Sequence, residues 1–312
     1  MVLVYAKLSG GLGNQLFVIF SCIGTALRDN AEFVLDGSYD NSSSVHATYA
    51  RKTYWESPIF LNLKNLMAKN YDITNCSVFN ENNDYKINTI PNVKDCKKET
   101  LILVGYLQCL NFFDNYADKI SSMLGIYELQ SRQKERFPHI LNMVTCCMHF
   151  RLGDYKKYEY KHPIMPLEYF KKSLRFLLEK LNNTKLCVLW VCHKPDKKHV
   201  KEEYISKLCV LFPDVKFEEL PSSDNDYEEL LLMSLCDHFI ISNSTFSWWA
   251  AYFCLHENKI ICYPSTWYGY IIKNSISNNQ NKSRMFPKTW KKINFDINLK
   301  PVCKKFKIKV IQ

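Results

Sequence analysis

Three short stretches of this chain carry residue types that can hold an anion. They are Ser9-Gly10-Gly11-Leu12-Gly13-Asn14-Gln15, Met148-His149-Phe150-Arg151-Leu152-Gly153-Asp154-Tyr155 and Ser242-Asn243-Ser244-Thr245-Phe246-Ser247. A glycine-rich turn between strand and helix aims bare backbone N–H groups at a ligand, and glycine permits positive φ and close approach. Gly10, Gly11 and Gly13 supply that turn, and Asn14 and Gln15 add side-chain donors at the helix start. In the third stretch, small polar residues at a helix N-terminus combine backbone donors, hydroxyls and the positive end of the dipole. One of Ser242, Asn243, Ser244 and Thr245 can be an ordinary N-cap. All four, continued by Phe246 and Ser247, exceed what capping needs. In the middle stretch His149, Arg151 and Asp154 stand at the end of an apolar run. An arginine held there offers a planar fork matched to phosphate oxygens. An Arg151–Asp154 pair that merely closes a turn would use the same residues.

The surrounding pattern decides how these stretches are positioned. Residues 2–8 read as a buried strand, and Leu16, Phe17, Ile19, Phe20, Ile23, Ala26 and Leu27 recur at helical spacing. A second strand over 31–36 ends in Asp36. From 37 to 100 no pattern can be assigned. A strand is predicted over 101–107, ending in Gly105-Tyr106-Leu107-Gln108, and a helix over 112–124. A less apolar segment, 127–138, leads into a central strand at 140–147, with the domain junction at 130–138. The second half alternates: helices over 166–181, 198–211, 227–235 and 245–255, strands over 185–192, 215–220, 238–241 and 259–263. Such alternation implies α/β architecture with parallel, doubly wound sheets. Two domains are expected, 1–138 and 139–312, each with its site loops at strand carboxyl edges, where such sheets bind ligands. Adjacent Trp248 and Trp249 should point apart, one into the core and one toward a cleft.

Composition removes several function classes. The chain has 312 residues, 47% of them hydrophobic, enough for two cores. Its net charge of +10 suits an anionic ligand, but most lysines are scattered, and no nucleic-acid motif accompanies them. Only the tail 300–309 is a basic patch, and its alternation with Val302, Phe306, Ile308 and Val310 fits an edge strand equally well. Thirteen cysteines, an odd number with several inside apolar runs, read as buried reduced thiols rather than a disulfide framework or a zinc site. No apolar stretch spans a bilayer and no signal peptide is visible, so a soluble cytoplasmic protein is expected. Donors on two facing walls suit a nucleotide diphosphate and favour an enzyme over a one-sided binding module.

Gly10 to Phe17, His149 to Tyr155 and Ser242 to Ala251, with smaller echoes at Gly105-Tyr106-Leu107-Gln108 and Met285-Phe286-Pro287-Lys288-Thr289-Trp290, resemble in order the motifs of the family 11 glycosyltransferases, the α-1,2-fucosyltransferases. The resemblance implies a GT-B-like fold of two facing Rossmann-like domains, the first on the acceptor side and the second on the GDP-sugar side. It implies a GDP-β-L-fucose donor, transfer with inversion to a glycan acceptor, and no metal or other cofactor. It implies that Arg151 meets the GDP pyrophosphate, with Gly10, Gly11, Gly13, Asn14, Gln15 and Ser242 to Ser247 around the donor. The family's second arginine is replaced by Leu152, and a Ser-Asp-Asp that often follows the next strand is replaced within Cys192-His193-Lys194-Pro195-Asp196. His149, Asp154 and Asp36 are candidates for the proton acceptor. The replacements leave two further readings: transfer of a different GDP-deoxyhexose, and a GDP- or glycan-binding protein that has lost catalysis. The absent anchor fits a bacterial-like or viral enzyme.

Overall fold

The computed structural model describes residues 2–36, 54, 56–68, 75–81, 89–96, 98–138, 143–182, 184–223, 225–269 and 284–297. Strand β1 (Leu3–Lys7) leads into helix α1 (Leu12–Asp29), which stops where Asn30 turns left-handed at φ 51°. Then come β2 (Glu32–Asp36), α2 (Pro58–Leu61), β3 (Met67–Ala68), β4 (Cys76–Asn80) and β5 (Thr100–Val104). Helices α3 (Ala117–Leu124) and α4 (Ile126–Arg136) are separated by Gly125 at φ 70°. The first sheet is parallel throughout, in the order β3-β2-β1-β5-β4.

The second sheet is built from β6 (Val144–Phe150), α5 (Leu167–Lys180), β7 (Leu186–Cys192), α6 (Lys197–Val200), a π-helical turn (Lys201–Ile205), α7 (Ser206–Leu211), β8 (Lys216–Glu219), α8 (Asp226–Met233), β9 (His238–Ile240), α9 (Thr245–Tyr252), β10 (Ile261–Pro264) and β11 (Lys291–Ile293). Its order is β11-β10-β9-β6-β7-β8, again parallel, the doubly wound order of a dinucleotide-binding sheet. Strand β7 is buried along its whole length, and β6 beyond Val144, as strands covered on both faces must be. The expected two facing Rossmann-like, parallel sheets are therefore present.

One apolar core runs from α1, β1 and β5 to α8, α9 and the inner face of the second sheet, and a second fills that sheet's other face. Phe17 meets Trp248 and Trp249 at ring separations of 4.6 and 5.0 Å, and Phe20 meets Trp249 at 4.5 Å. Both tryptophans are fully buried, so neither lines a cleft. Adjacent helical residues diverge by about 100°, but α9 lies inside the shared core and offers no wet side.

Several expected boundaries move. The central strand ends at Phe150 rather than Cys147, because His149 and Phe150 continue the ladder to Val191 and Cys192. Strand β5 stops at Val104, and residues 105–108 form a turn. The helix expected from 112 starts as 3-10 turns and is α only from Ala117. The segment read as a junction is helix α4, whose buried Gln130 donates to Ser234 Oγ (2.8 Å) and Phe253 O (2.9 Å). The tail 300–309 lies outside the described residues. No helix among the described residues is long and apolar enough to cross a membrane.

Candidate active site

The first and third sequence stretches touch. Helices α1 and α9 meet at their N-termini, where a Cβ on Gly13 would lie 2.5 Å from the carbonyl carbon of Thr245. Trp249 Nε1 donates to Gly13 O (2.8 Å), and Thr245 Oγ1 donates to Asn14 Oδ1 (3.0 Å). Neither helix has a side-chain cap or an acidic residue in its first turn. Two positive dipole ends without a side-chain cap thus converge, an arrangement that favours an anion. Gly10 takes φ 77°, which glycine adopts at no cost. Gly13 is helical, and its missing side chain serves the approach of α9. Gln15 is buried and turns back to donate to Gly10 O (2.9 Å).

The middle stretch joins them through the end of β9. Ser242 Oγ donates to His149 O (2.5 Å) and accepts from the Arg151 N–H (3.2 Å), stitching β6 to β9. Asn243 Nδ2 donates to Pro163 O and Trp267 O, both at 3.0 Å, and Tyr155 donates through its hydroxyl to Asn243 O (3.0 Å). Ser247 Oγ donates to Ser244 O (3.3 Å). The side chains of Ser242, Asn243, Thr245 and Ser247 therefore hold the corner in shape.

Arg151 lies just past the end of β6. It donates to Asp154 (2.5 Å) and lies over the Tyr155 ring, 4.9 Å from its centroid. Its buried Nε has no partner, nor have His149 Nδ1 and Asn243 Oδ1. Three unpaired polar atoms at one corner are unusual in a finished core and call for a water or ligand partner. Burial, aided by the Arg151 charge, holds the His149 pKa down at about 3, so the imidazole stays neutral at neutral pH. That makes His149 a poor proton acceptor. Asp36 ends β2 in the first sheet and accepts from Tyr5 (2.5 Å). Leu152 is buried in the second core cluster.

Two carboxylates were given no role by the sequence reading: Glu81, and Asp196 at the end of the replaced segment. Buried Asp196 accepts from the Gly153 N–H (2.7 Å) and Lys156 (2.5 Å) and so holds the arginine loop. Burial raises its pKa, but the Lys156 and Gly153 hydrogen bonds outweigh this and keep it below the usual range. Glu81 accepts from the N–H groups of Leu107 (2.7 Å) and Gln108 (3.1 Å), and burial raises its pKa despite them. Gln108 in turn donates to Asn14 Oδ1 (3.1 Å) and accepts from the Tyr268 hydroxyl (3.2 Å). The glycines at 105 and 153 were the available signals. Among the described residues no group of three or more His, Cys, Asp or Glu could hold a metal ion.

Parallel sheets with a donor-lined corner where their helices meet are the build of an α/β enzyme. The chain belongs to glycosyl transferase family 11, whose model matches residues 39–294. It is similar to the O-antigen biosynthesis glycosyltransferase WbnK of Escherichia coli, with 24% identity over 324 residues covering 92% of this chain and 99% of that one. It is also similar to an alpha-1,2-colitosyltransferase of Escherichia coli, with 24% identity covering 86% of this chain and 93% of that one. Among solved structures it is similar to the fucosyltransferase NodZ from Bradyrhizobium, at 13% identity and a TM-score of 0.46, covering 80% of this chain and 91% of that one. The chain is accordingly a glycosyltransferase.

Proposed function

We propose that this glycosyltransferase moves L-fucose from GDP-β-L-fucose to a sugar hydroxyl, with inversion and without a metal, forming an α-1,2 linkage. The observation that carries the donor site is the convergence of the uncapped N-termini of α1 and α9 beside Arg151. Departure of the nucleotide places charge on the β-phosphate, and fixed donors aimed at it stabilise the transition state. Arg151 is the cation of that set and Asp154 orients it. The name of the colitosyltransferase relative supports the α-1,2 linkage. It also favours a second reading, in which the same site transfers a sugar other than fucose.

Thermal unfolding in EDTA with GDP, UDP or GDP-fucose tests the donor. A ligand at 100 times its Kd adds about 2.7 kcal/mol to the folded state. Stabilisation by GDP and GDP-fucose but not UDP is expected, followed by GDP release when a glycan is added. GDP binding without turnover of GDP-fucose, but with turnover of another GDP-sugar, would select the second reading. No turnover of any donor would leave a binding protein.

A further inference from the structure

The turn after β5 is built at some cost. Gly105 takes φ 128° and Leu107, a side chain that avoids this region, takes φ 53°. A Cβ on Gly105 would lie 2.7 Å from Glu81 Oε2. The Glu81 carboxylate clamps the turn through the Leu107 and Gln108 N–H groups. The Leu107 side chain is fully buried and Gln108 is tied to Asn14. What this rigid turn presents outward is Tyr106, 46% exposed. Its ring edge lies 3.1 Å from where a Cβ on Gly10 would stand, so it covers the first glycine of the α1 corner. From the second half Tyr268 comes within electrostatic reach of Tyr106 and of Tyr155.

An exposed aromatic ring on a clamped turn beside a diphosphate corner can stack on a base or on a sugar, and the GDP arm of the test below separates the two. A hexopyranose has an apolar C–H face and a rim of hydroxyls. The flat ring takes the face. Rigidity favours binding, because little ordering entropy is lost when the sugar arrives. We propose that Tyr106 is the stacking platform of the acceptor subsite, with Glu81 as the residue that holds it in place. The placement rests on the donor site proposed above, since Tyr106 stands over Gly10 at that corner.

The test uses the full chain and three probes, the methyl β-glycosides of galactose, glucose and N-acetylglucosamine. Saturation-transfer NMR measures their binding with and without GDP, and calorimetry measures GDP. Wild type and Tyr106→Phe should take up at least one glycoside with similar affinity. Tyr106→Ala should bind it about tenfold more weakly, near 1.4 kcal/mol, while its GDP affinity stays within about twofold of wild type. Unchanged glycoside affinity in Tyr106→Ala, or no glycoside bound by wild type, overturns the proposal. Failure of wild type to bind GDP overturns the donor reading instead, and the glycoside comparison without GDP still judges Tyr106.

Discussion

The two corners that meet at Gly13 and Thr245 are made by opposite means. The α1 corner is backbone: three glycines, an N-terminus without a side-chain cap, and no titratable group between Gly10 and Gln15. The corner at the ends of β6 and β9 is side chain: Ser242 and Asn243 lock the loops, and Arg151, Asp154 and a neutral buried His149 stand among them. The first corner supplies shape and a fixed dipole, the second a formal positive charge. A site for a leaving diphosphate needs both, because fixed dipoles require no reorganisation and a guanidinium gives the strongest single bond.

Removing the charge should therefore do the most damage. Arg151→Ala is expected to lower turnover by roughly 10²–10³, with little loss of stability, because its ion pair with Asp154 is partly exposed and such pairs contribute little. Steady-state kinetics and a melting curve check both halves. Near-normal turnover would make the second corner as structural as the first.

Acid should also separate the corners. His149 titrates near 3 in the folded state and near 6.5 unfolded. The unfolded chain thus takes up the proton first, and stability present above pH 6.5 is lost as pH falls toward 3. Between pH 6.5 and 4.5 the loss from this one group is roughly 2 kcal/mol. His238, also held below its usual range by burial, contributes in the same direction, so the comparison is with a His149→Phe variant. Denaturant melts at the two pH values should show a shallower fall in the variant. Parallel falls would mean that His149 is hydrated and already titrates normally.

Much of this was legible in the sequence, for physical reasons. The second half alternates apolar runs, strongest in β6 and β7, with helices such as α5 that carry an apolar face, so β6 to β10 were visible. The three site stretches were visible because glycine and small hydroxyl residues cluster where a strand becomes a helix. Strand β4 was hidden because only Phe79 of its five residues is buried, so it lacks a continuous apolar face. Helix α4 was hidden because it is polar on most sides and packs through Ile126, Leu129, Gln130 and Gln133. Glu81 and Asp196 were hidden for a different reason. Their work is to accept backbone N–H groups from turns distant in sequence by 26 and 43 residues, and no local spacing records that.

Gly13 gives the finest test of the contrast, since a glycine in an anion-binding loop and a glycine between two packed helices look alike in sequence. In an exposed helix interior, Gly→Ala is stabilising by roughly 0.5–1 kcal/mol. Here the new methyl would meet the Thr245 carbonyl carbon, its oxygen and the Phe246 nitrogen at 2.5–2.7 Å, all backbone atoms that cannot rotate away. Helices α1 and α9 would have to separate, and Gly13→Ala should destabilise by about 1–3 kcal/mol. Calorimetric melting reads that loss. GDP affinity should fall with it, because the convergence of the two N-termini is the shape on which the dipoles act. Lost stability with intact GDP binding would show that the α1 corner is only a packing joint and that the second corner carries the anion alone.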